Sequence, residues 1–147
     1  MYLYPPGYRT VVFMPVNRRS DRTYQNQVAD KLRDDILSGQ LKPGAKLPSE
    51  AQLAGAAECG REVVRQALGM LRHEALIRTE RGVGSLVRET PVRTPLRLKR
   101  GETATLRMPT EPERREMDWD EGVPMLIVKR ANGSEDILQA DTVTLTG

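Results

Sequence analysis

A chain of 147 residues, 38% hydrophobic and 29% charged, has room for one ordinary domain or two small ones and the balance of a globular protein. No apolar run approaches the roughly 20 residues of a membrane span, and Val11–Met14, interrupted by prolines at 5, 6 and 15, is too short for a signal peptide's apolar stretch, so neither membrane nor secretion is expected. The net charge of +3 hides a split: residues 1–100 carry 18 Lys/Arg against 10 Asp/Glu, residues 101–147 only 5 against 10, which points to one half that meets a polyanion and another that does not.

The first 22 residues hold Pro5-Pro6-Gly7, few periodic apolar positions and a basic cluster at Arg18, Arg19 and Arg22. They read as an extended arm or a disordered tail. A helix is expected from about Thr23 to Ser38, because Val28, Leu32 and Ile36, with Ala29 and Leu37 beside them, recur at spacings of three and four; Gly39 ends it. Residues 40–48 make a loop around the turn signal Pro43-Gly44. Ser49-Glu50-Ala51-Gln52 is a capping box that opens a second helix to about Ala57, burying Leu53 and Ala54.

After a turn over 58–60, a third helix spans about Arg61–Glu74 with the stripe Val64, Ala67, Leu68, Leu71 and Ala75. Strands at Leu76–Glu80 and Ser85–Arg88 flank Arg81-Gly82-Val83-Gly84, a glycine-rich hairpin turn. Residues 89–101, with Pro91, Pro95, Arg93, Arg97, Lys99 and Arg100, read as a linker. Beyond it Ala104, Leu106 and Met108 alternate on one strand face, and Thr110-Glu111-Pro112-Glu113 caps a short helix ending near Asp118. Met125–Arg130 and Glu135–Ala140 pair across Asn132-Gly133, and Val143 and Leu145 alternate on a last strand.

The fold class is therefore α+β. An N-terminal winged helix-turn-helix over 23–88, three helices plus a β-hairpin wing, precedes a small mostly-β unit over 102–147 with one short helix. Such a scaffold seats its third helix in a major groove that just admits an α-helix, with base-reading side chains near that helix's N-terminus. Those are Arg61, Glu62 and Arg65, with Gln66 one turn further. Arg61 and Arg65 stand four apart, a like-charge pairing that destabilises an isolated helix by roughly 0.2–0.5 kcal/mol. It makes sense where a polyanion or the acceptor edge of guanine is the neighbour; an exposed face partly neutralised by Glu58 and Glu62 is the alternative. Arg78 and Arg81 sit on and beside the wing, where Gly82 and Gly84 leave the backbone bare for a sugar-phosphate wall or the minor groove.

The stretch from Tyr24-Gln25-Asn26-Gln27-Val28-Ala29-Asp30 through Ser38-Gly39-Gln40-Leu41-Lys42-Pro43-Gly44-Ala45-Lys46-Leu47-Pro48-Ser49-Glu50 resembles the start of a GntR-family winged-helix domain. Arg61-Glu62-Val63-Val64-Arg65-Gln66-Ala67-Leu68, Glu74-Ala75-Leu76 and Gly82-Val83-Gly84-Ser85-Leu86-Val87 continue the pattern in order. The resemblance implies that Arg61 and Arg65 contact operator bases, that Ser49 and Glu50 lie near the DNA backbone, and that Arg81 and Gly82 form the wing tip. The chain departs from that pattern at Ala51, often an arginine, at Gly60, usually a serine or threonine cap, at Glu58, usually a turn glycine, and at Glu62 and Val63, usually polar contacts. Cys59 takes an apolar core position.

The family typically joins this reader to a C-terminal domain that dimerises and often senses a metabolite. Gly101-Glu102-Thr103 through Thr110, with Glu113-Arg114-Arg115 and Gly122-Val123-Pro124-Met125-Leu126, resembles the opening of a UTRA-type ligand domain and also the swapped-hairpin fold of AbrB-like proteins. About 47 residues are too few for a sizeable pocket, and so small a unit buries little apolar surface alone. A homodimer on a pseudo-palindromic operator is expected, with docking of the unit onto its own reader as the alternative.

The function expected is therefore a cytoplasmic, sequence-specific DNA-binding regulator, a repressor by family habit, with double-stranded DNA as partner. A metabolite-responsive regulator and a winged-helix protein-interaction module are the alternatives. Enzymatic chemistry is not expected, since the single histidine, His73, has no nucleophile beside it and no phosphate-cradling loop is present. No cofactor is expected either: Cys59 permits no internal disulfide, and with His73 it falls short of a four-ligand zinc site.

Overall fold

The computed structural model describes residues 15–146, which divide after Glu89 into two compact units. Helix α1 (Tyr24–Leu37) buries Val28, Ala29 and Leu32. Leu37, expected on the same stripe, is 70% exposed. At about 100° per residue it lies half a turn from Val28. Asp35 falls on the apolar side instead and is 4% exposed, its carboxylate taking the ammonium of Lys31 at 2.6 Å. The chain leaves α1 through Gly39 at φ +81°, a conformation that glycine adopts without a Cβ penalty.

Helix α2 (Glu50–Ala57) starts with the expected capping box. Gln52 N–H donates to Ser49 Oγ at 3.2 Å, and Ser49 N–H donates to Gln52 Oε1 at 2.9 Å. Leu53, Ala54 and Ala57 face the core, and Glu58 closes the helix in the left-handed region at φ 51°. Helix α3 (Arg61–His73) follows after a three-residue turn and buries Val64, Ala67, Leu68 and Leu71. Its N-cap, Gly60, has no side chain to offer the free amides. Arg33 of α1 ties the far end of α3 through a two-pronged pair with Glu74, at 2.6 and 2.7 Å.

Strands β1 (Ile77–Glu80) and β2 (Gly84–Val87) pair antiparallel from Ile77↔Val87 to Glu80↔Gly84. The 40–48 segment is more than a loop. Leu47 N–H donates to Ser85 O and Val87 N–H to Ala45 O, both at 2.8 Å, so Lys46 bridges Leu86 on the free edge of β2. Leu41, Leu47, Leu53, Val64, Leu71, Ile77 and Val87 are all nearly inaccessible and close one core beneath the helices and hairpin.

The expected arm is only partly described, and residues 1–14 lie outside the described residues. Residues 15–22 form no helix or strand and are mostly exposed, with a few contacts to the first unit. Val16 packs against the core and donates its N–H to Ala57 O at 2.9 Å, while the Gln27 amide holds Asn17 and Arg22. Arg22, read as part of a basic cluster, is bound to Asp30 at 2.7 Å.

In the second unit, β4 (Thr103–Arg107), β5 (Met125–Lys129) and β6 (Glu135–Gln139) form an antiparallel sheet in that order, with Leu106, Leu126 and Leu138 in register. Asn132-Gly133 turns the β5–β6 hairpin, Gly133 at φ +88°. Helix α4 (Glu111–Glu116) carries a second capping box, Thr110 with Glu113. Met125, Leu126 and Val128 on the central strand are buried with Val123, so β5 buries side chains on both of its faces. Leu106 and Met108, read as alternating on one strand face, are both more than half exposed, and Met108 lies one residue beyond β4.

The linker expected over 89–101 contains a strand, β3 (Thr94–Arg97), which pairs in parallel with β7 (Val143–Thr146). Pro95 and the flanking cations hid it. The pair joins the two ends of the unit, and no local periodicity announces a partner so distant in the chain.

Candidate nucleic-acid interface

The geometry of α3 divides its side chains cleanly. Val64, Ala67, Leu68 and Leu71 anchor one face in the core, so Arg61, Glu62, Arg65 and Gln66 stand exposed on the other. The anchoring on both flanks, α2 before and β1 after, fixes which way that outer face looks. Packing therefore orients these four side chains, and their charges are left to solvent or a partner.

The two arginines are not equivalent. Arg61 is exposed and has no hydrogen-bond or ion-pair partner among the described residues. Arg65 is held: Nη1 donates to Glu62 Oε2 at 2.9 Å, and Nη2 reaches Glu50 Oε2 at 3.3 Å, yet its side chain stays 57% exposed. Glu50 therefore joins the outer face of α3 from the first turn of α2, while Ser49 beside it is occupied as the α2 cap. Gln66 extends the same face one position on.

The hairpin carries the second group. Arg78 pairs with Glu80 on the same side of β1 at 3.1 Å. Arg81 is exposed and without a partner among the described residues. Gly82, at φ +79°, has nothing within 4 Å of where a Cβ would stand, so the tip is open on that side. No hydrogen bond or ion pair links Arg78 or Arg81 to Arg61, Glu62 or Arg65 among the described residues; the two groups are placed by the shared core alone.

One cation at this surface was missed in the sequence. Lys46, exposed, lies beside the wing: a Cβ on Gly84 would stand 3.6 Å from its Cε. The available signal was Ala45-Lys46-Leu47, an alternation only three residues long between Pro43 and Pro48, too short to declare a strand. Cys59 is half-buried against the core, and burial pushes its thiol above the ordinary range, as suits a packing role. No helix among the described residues is long and apolar enough to cross a membrane.

Comparison with known proteins covers the same segment. The family model described as bacterial regulatory proteins, gntR family, matches residues 24–87. The mannosyl-D-glycerate transport/metabolism system repressor MngR of Escherichia coli is 39% identical over 66 residues, 45% of this chain and 28% of that protein. The HTH-type transcriptional repressor NagR of Bacillus subtilis is 35% identical over 74 residues, 50% of this chain and 30% of its own length. Among solved structures, YtrA from Sulfolobus acidocaldarius, a GntR-family transcription factor, is 28% identical with a TM-score of 0.48, covering 52% of this chain and 81% of that one. The chain thus spans less than a third of the length of these two curated relatives. Over residues 24–87, which hold the three helices, the outer face of α3 and the Gly82 wing, this chain carries a domain of the GntR family of bacterial regulatory proteins.

Proposed function

We propose that this chain is a sequence-specific DNA-binding transcription regulator, acting as a repressor in the cytoplasm, that binds a pseudo-palindromic operator as a homodimer. Helix α3 enters the major groove and the 81–84 turn meets the minor groove. In this reading Arg61, Glu62, Arg65 and Gln66 face base edges, Ser49 and Glu50 lie beside the DNA backbone, and Arg78, Arg81 and Gly82 contact it from the wing.

The observation that carries the proposal is the outer face of α3. Four polar side chains, two of them arginines, are held outward by a helix whose other face is fully committed to the core. A helix needing only stability gains nothing from Arg61 and Arg65 on one side, whereas guanidinium groups match the two acceptors of guanine. The family of residues 24–87 and the repressor names of MngR and NagR support the regulatory role. The unit over 102–147 is assigned to dimerisation, in keeping with its small size and its exposed Leu106, Met108 and Ile137.

The decisive test is retention on genomic DNA at moderate salt. The double variant Arg61→Ala, Arg65→Ala is expected to elute with the unbound fraction while keeping its helical circular dichroism. Retention equal to that of the unaltered chain would remove the DNA-reading role. Sequencing fragments held by the unaltered chain then defines the operator.

A further inference from the structure

Position 62 poses a physical problem for any surface that meets DNA. A carboxylate there is repelled by every phosphate, and Glu62 is among the most exposed groups of the outer face, its side chain 66% accessible. The structure shows what it does instead. Glu62 takes Nη1 of Arg65 from one side, and Glu50, from a different helix, takes Nη2 from the other. Two carboxylates on separate elements restrict a guanidinium that would otherwise swing freely on its long stem.

The restriction leaves the arginine competent. A guanidinium has five N–H donors; two are used by the carboxylates and three remain, against the two that guanine O6 and N7 require. Charge works in the same direction. One guanidinium flanked by two carboxylates is locally net negative, which a phosphate opposes and the uncharged edge of a base does not. Arg61, four residues away and without a partner, has no such bias.

We infer that Glu62, assisted by Glu50, is a specificity-determining positioning residue: it holds Arg65 for a guanine edge and disfavours its use on phosphate. The inference rests on the DNA-reading role proposed above. It sets Arg65 apart as a base reader whose selectivity is built by its own carboxylates.

The test compares the full chain with Glu62→Gln and Glu50→Gln, each checked for unchanged circular dichroism. A duplex is first enriched from a random pool by the unaltered chain, and affinity is then measured by fluorescence anisotropy on it and on a scrambled duplex of equal length. Glu62→Gln is expected to bind the scrambled duplex about two- to fivefold more tightly, the factor an exposed ion pair supplies. The ratio of selected to scrambled affinity should fall by at least as much, and reselection should show relaxed guanine preference at the base pair that Arg65→Ala also relaxes. Glu50→Gln should shift both in the same direction and by less, given its longer contact. A ratio that stays level or rises in Glu62→Gln overturns the inference while leaving DNA reading intact. Equal weakening on both duplexes does so too, since that marks a purely structural role. If the unaltered chain enriches no sequence, the DNA-reading role fails, and the inference with it.

Discussion

Arg61 and Arg65 have the same chemistry and different surroundings, and the difference predicts different phenotypes. Arg61→Ala removes an exposed, unpartnered cation, so stability should move by no more than about 0.5 kcal/mol, upward if relief of like charge dominates. Its effect on DNA should be concentrated at one base pair, on the order of 1–3 kcal/mol of lost discrimination, which competition with single-base operator variants would read. Periodicity made both arginines legible as outward residues, because the buried positions of α3 leave no other face for them. It did not show the grip of Glu50 on Arg65, which depends on how two helices pack across fifteen positions. A different local device gives a pH prediction. In the second unit, Arg107 Nη1 and Nη2 bond the Glu113 carboxylate at 2.8 and 2.7 Å, the Thr110 N–H donates to it as well, and together they bring its pKa down to about 2. A carboxyl depressed in the folded state stabilises fully above its unfolded value near 4.5, and that contribution disappears as pH falls toward 2. Thermal melts of Glu113→Gln should therefore lose part of the acid sensitivity between pH 4.5 and 2 that the unaltered chain shows. Identical acid profiles would mean the exposed pair is screened too strongly to matter.

Turns decide how well these elements hold together, and two are occupied by residues poorly suited to them. Glu58 at φ 51° and Ala75 at φ 56° follow the ends of α2 and α3 in the left-handed region, where a Cβ crowds the next carbonyl at roughly 1–2 kcal/mol. Ala75→Gly is expected to raise stability by about 0.5–1 kcal/mol, since glycine removes that strain and loses a little in unfolded-chain entropy. An unchanged or lower melting temperature would show that the Ala75 methyl is needed for packing. Ser49→Ala should act in the opposite direction by about 1 kcal/mol, because it abolishes the side-chain acceptor at the start of α2. Elements that announce themselves by caps and periodic stripes, α1 to α4 and the two hairpins, were readable from residues alone. Those formed by pairing distant segments were not. Lys46 bridges Leu86 of β2 from forty positions away, and β3 takes its partner from β7 at the other end of the unit. Pro95 in β3 argued for a linker on every local criterion, and a parallel partner outweighed it.

At the level of the whole chain, charge ties the fold to its proposed work. The excess of cations in residues 1–100 is narrower than composition implied, because Arg22, Arg33, Arg65 and Arg78 are engaged by the chain's own carboxylates. What remains on the wing side is Lys46 and Arg81, exposed and unpaired among the described residues, joined by Arg78, which stays exposed while paired with Glu80. Neutralising three phosphates per reader predicts a slope of about −2.7 for the logarithm of affinity against the logarithm of salt. Affinity should then fall by roughly fortyfold between 50 and 200 mM monovalent salt for a single reader on a half-site, and more steeply for two readers on a full operator. A flat response would exclude binding through this face. The two-reader case depends on the proposed homodimer, which makes a separate prediction: sedimentation at micromolar concentration should return twice the chain mass, and Leu106→Glu, placed on the exposed edge of the second unit, should return it to the monomer. The same variant should flatten the operator's salt slope toward the half-site value, since one reader then meets half as many phosphates. Dimeric mass that survives Leu106→Glu would move the contact away from β4, and a salt slope unaltered in a proven monomer would show that a single reader accounts for all of the binding.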